Sequence, residues 1–212
     1  MKITPELAEL VGALIGDGFI YNNFNKYRIG FTGNQINDKD YYKFLQNLIL
    51  KVWNKEAKIK ERWRGLRIVI NSKEAVSFLI NELKLPFGEG KCEKVSIPNI
   101  ILNDWNLAKY TIRGIVDTDG SVFVAKKPGI DKYPSIEITT VSSKLALQLK
   151  NVLEKQGFRV AKIWAYQPKR KNRRIAYKVP LNGKKNIIKW INEIGFSNPY
   201  KLNRAIEAVK NQ

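Results

Sequence analysis

A nine-residue motif occurs twice in this 212-residue chain, and the repeat constrains the fold more than any other feature. Residues 10–18 read LVGALIGDG and residues 112–120 read IRGIVDTDG, so that Asp119 follows Asp17 by 102 residues. Shorter matches, between residues 66–71 and 177–182 and between 57–59 and 161–163, extend the similarity through both halves. An internal repeat of this kind predicts two similar structural units.

Each half reads as a helix, two strands, a helix, two strands and a helix. Thr4 followed by Pro5 is a typical helix start and predicts a first helix that runs to about Asp17, where Gly18 stops it. We predict an α+β fold of two pseudo-symmetric αββαββα units with antiparallel sheets. The expected boundaries are residues 1–98 for the first unit, 99–106 for a linker and 107–212 for the second unit.

The repeated helices each carry a stripe of small residues at four-residue spacing. These are Gly12 and Gly16 in the first helix and Gly114 and Thr118 in the second. Packing through these stripes would make a close helix interface and bring Asp17 and Asp119 together at the helix ends. Two adjacent carboxylates repel unless cations share the site, and oxygen ligands suit magnesium. A single Asp-Gly pair commonly does no more than end a helix, but here it occurs twice in equivalent places.

The charge of the chain favours a polyanionic partner. It has 38 Lys and Arg against 19 Asp and Glu, a formal net charge of +19, and no histidine. Nucleic acid is the expected partner, and a membrane surface is the weaker alternative because the basic residues are spread over strand-like stretches. Without histidine, Ser-His-Asp and Cys-His nucleophiles and His-ligated zinc are excluded.

The sequence carries no signal for export or membrane insertion. The single cysteine, Cys92, cannot form an internal disulfide. The N-terminal residues lack the plan of a signal peptide, and no apolar run reaches the roughly 18 residues of a membrane span. We therefore expect a cytoplasmic protein that associates with the nucleoid through DNA.

Basic residues are concentrated in the predicted strands and hairpin tips. In the third strand they fall on one face, opposite Ile59 and Trp63, as expected for alternating side chains. A solvated sheet face is one interpretation, and binding of phosphates to a two-stranded ribbon in the DNA major groove is the other. The candidate DNA-binding residues are Arg28, Lys58, Lys60, Arg62, Arg64, Arg67, Lys126, Lys169, Arg170, Lys171, Arg173, Arg174 and Lys178.

Together these residues resemble the LAGLIDADG homing endonucleases, a family named after this nine-residue motif. Arg113 replaces the second-position Ala in the second copy, and Ile15 replaces the sixth-position Asp in the first. The resemblance covers the whole chain. It implies a monomer whose paired motif helices join the units and whose sheets form a saddle in the DNA major groove. It further implies cleavage of both strands of a long asymmetric duplex site, leaving short 3′ overhangs.

The resemblance also implies the site residues. Asp17 and Asp119 would be the metal ligands, aided by the main-chain carbonyls of Gly16 and Thr118. The implied cofactor is Mg²⁺, with Mn²⁺ as a substitute.

A lysine accompanies each metal pocket in the family, and Lys91 and Lys201 match it by position. Ordinary surface lysines are the alternative interpretation. A glutamine that the family often places at a strand end is absent, because the corresponding positions are Gly33 or Asn34, with Gln35 beyond, and Thr140.

Two other functions are compatible with this fold. One is an RNA maturase that assists splicing of its own intron, because RNA phosphates attract the same cations. The other is a DNA-binding protein that does not cut. Retention of both Asp17 and Asp119 favours cleavage, since a pure binder has no need of two acids facing a polyanion. Because the chain opens with Met1 and shows no N-terminal Cys or Ser nucleophile and no terminal Asn, we expect an intron-encoded protein. The resemblance implies that it is of archaeal type.

Overall fold

The computed structural model describes residues 2–62, 65–167 and 174–210. In the first half, the elements are α1 (Pro5–Ile15), β1 (Gly18–Asn23), β2 (Lys26–Asn34), α2 (Lys39–Trp53), β3 (Ile59–Arg62), β4 (Gly65–Asn71) and α3 (Lys73–Ser77), which continues as a π-helical turn over Phe78–Glu82. Two short helices follow, α4 (Lys91–Lys94) and α5 (Asn99–Leu102). The second half contains α6 (Trp105–Asp119), β5 (Gly120–Lys127), β6 (Ile130–Thr140), α7 (Ser143–Lys155), β7 (Trp164–Tyr166), β8 (Ala176–Asn182), α8 (Lys184–Glu193) and α9 (Pro199–Lys210).

The two halves have the same sheet topology. The first sheet has the strand order β1-β2-β4-β3 and the second has the order β5-β6-β8-β7, with every neighbouring pair antiparallel. This arrangement confirms the predicted α+β architecture of two pseudo-symmetric units. Because side chains alternate along a strand, each sheet buries one face and leaves the other available.

Helices α1 and α6 pack against each other at the centre of the molecule. Thr4 caps α1 by accepting from Leu7 N, and Asp104 caps α6 by accepting from Asn106 N. A single apolar core extends across this junction, with Ile29 and Ile68 beneath the first sheet and Ile138 beneath the second, all fully buried. The shared core ties the two sheets to one central helix pair.

The repeated motifs end differently from each other. Helix α1 ends at Ile15, before the predicted end near Asp17, because Gly16 has a ψ of −104° and leaves the helical path. Helix α6 continues through Asp119, and Gly120 already begins β5. Asp17 therefore lies in a turn between α1 and β1, whereas Asp119 is a helical residue.

Three further helices were missing from the sequence prediction. Helix α4 begins at Lys91, in a stretch for which no element was predicted. The short helix α5 lies inside the stretch 99–106 that was expected to be a linker. Helix α9 closes the chain after the segment 195–198. Among the described residues, no helix is long and apolar enough to cross a membrane.

Candidate active site and nucleic-acid interface

The small residues of the two motif helices lie at the contact between α1 and α6. A Cβ atom added at Gly12 would stand 2.0 Å from Thr111 O, and one added at Gly114 would stand 2.4 Å from Glu9 O. The hydroxyl of Thr111 donates to Ala8 O across the same interface at 2.7 Å. The two helices therefore touch through their backbones.

The same contact continues to the helix ends. A Cβ atom at Gly16 would stand 2.1 Å from Thr118 Oγ1 and 3.3 Å from Asp119 Oδ2. The carboxylate of Asp119 thus lies against the glycine that immediately precedes Asp17. The structure brings both motif aspartates to one place between the two halves.

The surroundings of the two aspartates raise the pKa of both carboxyl groups. Asp119 is exposed, yet the protein around it displaces enough water to raise the pKa of its carboxyl group to about 7. The charge of the nearby Asp17 carboxylate contributes to the same increase. The pKa of Asp17 is also raised, first by desolvation and then by Asp38, while Lys201 and Lys91 act in the opposite direction. Desolvation and the neighbouring carboxylates therefore disfavour the charged form of both carboxyl groups, and the two lysines offset this only in part.

The two candidate lysines reach the motif from equivalent sides. Lys91 Nζ donates to Leu14 O at 2.5 Å and to Gly18 O. Lys201 Nζ donates to Val116 O and Thr118 O, each at 2.8 Å. Desolvation lowers the pKa of both ammonium groups, and the neighbouring aspartates oppose that shift. Neither residue is a free surface lysine.

Two clefts flank the aspartates. The larger, about 420 Å³, is lined by Thr118, Lys201, the β2-end residue Asn34 and Asp38, among others. The smaller, about 250 Å³, is lined by residues that include Gly16, Asp119, Cys92 and Thr140, which ends β6. The larger cleft thus combines the second motif with the end of β2 from the first half, and the smaller combines residues of both motifs with the end of β6.

The donor set fits a hard divalent cation. Asp17 and Asp119 supply carboxylate oxygens, and the main-chain carbonyl of Gly16 is adjacent. Such oxygen donors suit Mg²⁺, which keeps several waters and needs few protein ligands. The carbonyl of Thr118, the fourth ligand implied by the resemblance, already accepts from Lys201. In the described ranges no three Asp, Glu or Cys side chains are grouped to hold a metal.

Sequence reasoning missed three residues of this site and its helix interface, of which Asn198 and Glu9 are buried and Asp38 is partly buried. Asp38 lies close enough to raise the pKa of Asp17 and accepts from Asn34 N at 2.8 Å. Asn198 is fully buried and donates to Asp38 Oδ1 at 2.9 Å. Glu9, 2% exposed, forms an ion pair with Arg113 across the helix interface at 2.5 Å. The Asn198-Pro199 pair is a helix-start signal that could have revealed α9 and its cap.

The strand-end positions at which the family often has a glutamine make contacts with neighbouring residues in this structure. Gln35 Nε2 donates to Glu61 Oε2 at 2.9 Å. Thr140 Oγ1 accepts from Ser142 N at 3.1 Å. A Cβ atom at Gly33 would stand 2.5 Å from the Tyr42 ring, which explains why this position holds no larger residue.

Four of the candidate DNA-binding cations gather on the first sheet. Arg28, Lys58, Lys60 and Arg67 line one cleft of about 440 Å³. The guanidinium of Arg67 also lies over the Phe19 ring, 5.0 Å from its centroid. This surface combines high positive charge with a concave shape.

Of the three candidate cations of the second half that the structure describes, two are engaged with other residues. Lys178 pairs with Glu137 at 2.6 Å and lies 5.4 Å from the Tyr166 ring centroid. Arg174 pairs with Glu93 and donates to the neighbouring Cys92 Sγ. Lys126 is exposed on β5. The side chain of Arg62 and the residues Arg64, Lys169, Arg170, Lys171 and Arg173 lie outside the described part of the chain.

Comparison with known proteins matches part of the chain to a family model. The family model of the LAGLIDADG-like domain matches residues 106–195. The second half of the chain therefore contains a LAGLIDADG-like domain. The chain is 34% identical over 210 residues to the replication factor C small subunit of Methanocaldococcus jannaschii, covering 98% of the chain but 10% of that protein. It is 30% identical over 207 residues to the corresponding Thermococcus kodakarensis protein, covering 96% of the chain and 21% of that protein. The chain thus spans about a tenth to a fifth of the length of these relatives.

Solved structures share the fold of this chain at low sequence identity. I-DmoI in complex with DNA and Ca superposes with a TM-score of 0.63 at 19% identity, covering 98% of both chains. I-DmoI in complex with DNA and Mn gives 0.59 at 18% identity, covering 90% of this chain and 96% of that one. The meganuclease I-SmaMI bound to uncleavable DNA gives 0.57 at 13% identity, covering 99% and 91%. These similarities confirm the homing-endonuclease fold.

Proposed function

We propose that this protein is a site-specific endonuclease that cuts double-stranded DNA with the help of a divalent cation. The observation that carries the proposal is the placement of Asp17 and Asp119 together at the ends of α1 and α6, with Lys91 and Lys201 beside them. The I-DmoI structures of the same fold contain DNA with Mn or Ca. We propose Mg²⁺ as the cofactor of this chain and Mn²⁺ as its substitute.

The proposed chemistry assigns a role to each residue. Asp17 and Asp119 would hold the cation, which supplies charge neutralisation at the phosphate and an activated water. The ammonium groups of Lys91 and Lys201 would donate hydrogen bonds to phosphate oxygens where charge develops during cleavage. Both lysines are already directed at the motif ends by carbonyl acceptors.

The basic cleft of the first sheet would bind the DNA backbone and the base edges. Arg28, Lys58, Lys60 and Arg67 share that cleft. A two-stranded β-ribbon fits the major groove, and Arg can contact guanine there. We propose a monomer that binds a long asymmetric duplex and leaves short 3′ overhangs. Because phosphate binding releases counterions, affinity should fall steeply with salt, and a slope of log affinity against log salt near zero would contradict this interface.

The test has two steps. Duplexes that the wild-type chain binds are first selected from a randomised library, and cleavage of a selected duplex is then measured. With Mg²⁺, the wild-type chain should cut both strands, whereas Asp17→Asn and Asp119→Asn should bind the duplex and leave it uncut. Asp40→Asn is the matched control, because Asp40 lies on α2 in a surface pair with Lys43. Equal loss of binding and cutting in the two site variants would contradict a metal-ligand role.

The same assay separates the alternative functions. A wild-type chain that binds the selected duplex but leaves it intact at all Mg²⁺ and Mn²⁺ concentrations would indicate a non-cleaving DNA-binding protein. Preference for structured RNA over the selected duplex would indicate a maturase.

A further inference from the structure

The segment that carries Lys201 is held by a buried hydrogen-bond network centred on Asn198. Its Oδ1 accepts from Tyr200 N at 3.1 Å, which caps the start of α9. Its Nδ2 donates to Asp38 Oδ1 at 2.9 Å and to Asp117 O at 3.3 Å. One side chain therefore ties α9 to α6 and to the start of α2 in the other half.

Asp117 adds a second connection between α6 and the same segment. This residue is 1% exposed, and its Oδ2 accepts from Ser197 N at 2.8 Å. Two consecutive residues before α9 are thus attached to the motif helix. Lys201 lies three residues after Asn198, within the first helical turn, so the cap determines where its side chain begins.

Lys91 is placed by different means. It begins the four-residue helix α4, directly after Gly88 and Gly90, which both have a φ of +73° and no neighbour around an added Cβ. The motif position equivalent to Asp117 is Ile15, which has no hydrogen-bonding side chain. Among the described residues, α4 is connected to the other half by Arg174, which pairs with Glu93 and donates to Cys92 Sγ, and by a hydrogen bond from Ser142 Oγ to Val95 O just beyond it.

We propose that Asn198 and Asp117 are positioning residues that fix Lys201 for cleavage of one DNA strand. This inference rests on the proposed nuclease function. Misplacement of a reacting group by about 1 Å can lower a rate by about 100-fold, so the anchoring of one lysine affects the chemistry directly. Because Lys91 lacks this network, loss of Asn198 affects the two strands unequally.

The first test measures the placement of Lys201 without DNA. Asn198→Ser retains an oxygen that can cap α9 but removes the amide donor. Asn186→Ser is the matched control, because Asn186 is a buried asparagine of the same half that donates to Arg159 O at 2.7 Å. Acetic anhydride labelling followed by mass spectrometry reports the accessibility of each lysine amine.

The expected result is specific to one lysine. Labelling of Lys201 should rise by about tenfold in Asn198→Ser, the change that corresponds to loss of one or two hydrogen bonds. Labelling of Lys91 should not change in this variant, and Asn186→Ser should leave both lysines as in the wild type. Unchanged protection of Lys201 in Asn198→Ser would overturn the proposal.

The second test follows the two strands of the library-selected duplex, each with its own 5′ fluorophore, in Mg²⁺. Asn198→Ser should slow cleavage of one strand by about 10- to 100-fold and leave the other strand and the Kd unchanged. Equal slowing of both strands, as for general destabilisation, would overturn the positioning role. A wild-type chain that cuts neither strand would instead overturn the proposed function, and the labelling result would still decide whether Asn198 fixes Lys201.

Discussion

Replacing Gly12 with alanine should force the two motif helices apart. The added Cβ would stand 2.0 Å from Thr111 O and 2.8 Å from the carbonyl carbon. Even close C–H···O contacts keep carbon and oxygen about 3.3 Å apart, so the helices must separate by roughly 1 Å. Since the obstacle is backbone, no side-chain rotation can relieve it.

The size of the effect follows from three contributions. Alanine in place of glycine favours a helix by about 1 kcal/mol. Overpacking costs about 1–3 kcal/mol. Separation also breaks the hydrogen bond from Thr111 to Ala8, worth about 1 kcal/mol. Because backbone opposes backbone, the upper end applies, and Gly12→Ala should destabilise the chain by about 3 kcal/mol. For a chain of this length the Tm should fall by about 6–12 °C.

Thermal unfolding followed by circular dichroism measures this difference. Leu147→Ala is the control, since Leu147 is a largely exposed residue of α7 and its replacement should change stability by less than about 0.5 kcal/mol. A Gly12→Ala protein as stable as the wild type would refute the backbone contact between α1 and α6.

Three further predictions concern the same helix pair. Glu9→Gln leaves the Arg113 guanidinium without its charged partner and should cost about 3 kcal/mol in urea unfolding; an unchanged midpoint would contradict the role of the pair. Because the pKa of Asp119 rises from 3.8 to about 7 on folding, the folded chain binds this proton more tightly than the unfolded chain. The metal-free protein should therefore lose stability as pH rises from about 4 to 7, and Asp119→Asn should flatten that loss in unfolding curves at a series of pH values. Gly16→Ala should destabilise the chain because of the 2.1 Å approach to Thr118 Oγ1, and adding Thr118→Ala should restore part of the loss in a double-mutant cycle; strictly additive effects would exclude the contact.

The sequence repeat predicted the architecture because helix and strand periodicities are local signals. The family resemblance predicted Lys91 and Lys201, since each follows the last predicted helix of its unit. The hydrogen bond between Asp38 and Asn198 could not be predicted this way, because the two residues are 160 positions apart and have no repeated counterpart. Counting basic residues likewise could not show that Lys178 forms an ion pair with Glu137, which lies on a neighbouring strand.

The departures from the family motif identify where the two halves differ physically. Arg113 replaces a small residue, yet it does not disrupt the helix interface, because Glu9 on the facing helix meets it with two hydrogen bonds. Ile15 replaces the acid that, at the equivalent Asp117, accepts from Ser197. The first substitution adds a charged connection between the halves and the second removes a connection within one half. Because both units belong to one chain, each copy of the motif can change independently of the other. Lys91 and Lys201 therefore need not be held by equivalent contacts. The pairing of Asp117 with Asn198 on the Lys201 side, and its absence at Ile15, is therefore the feature that should distinguish cleavage of the two DNA strands.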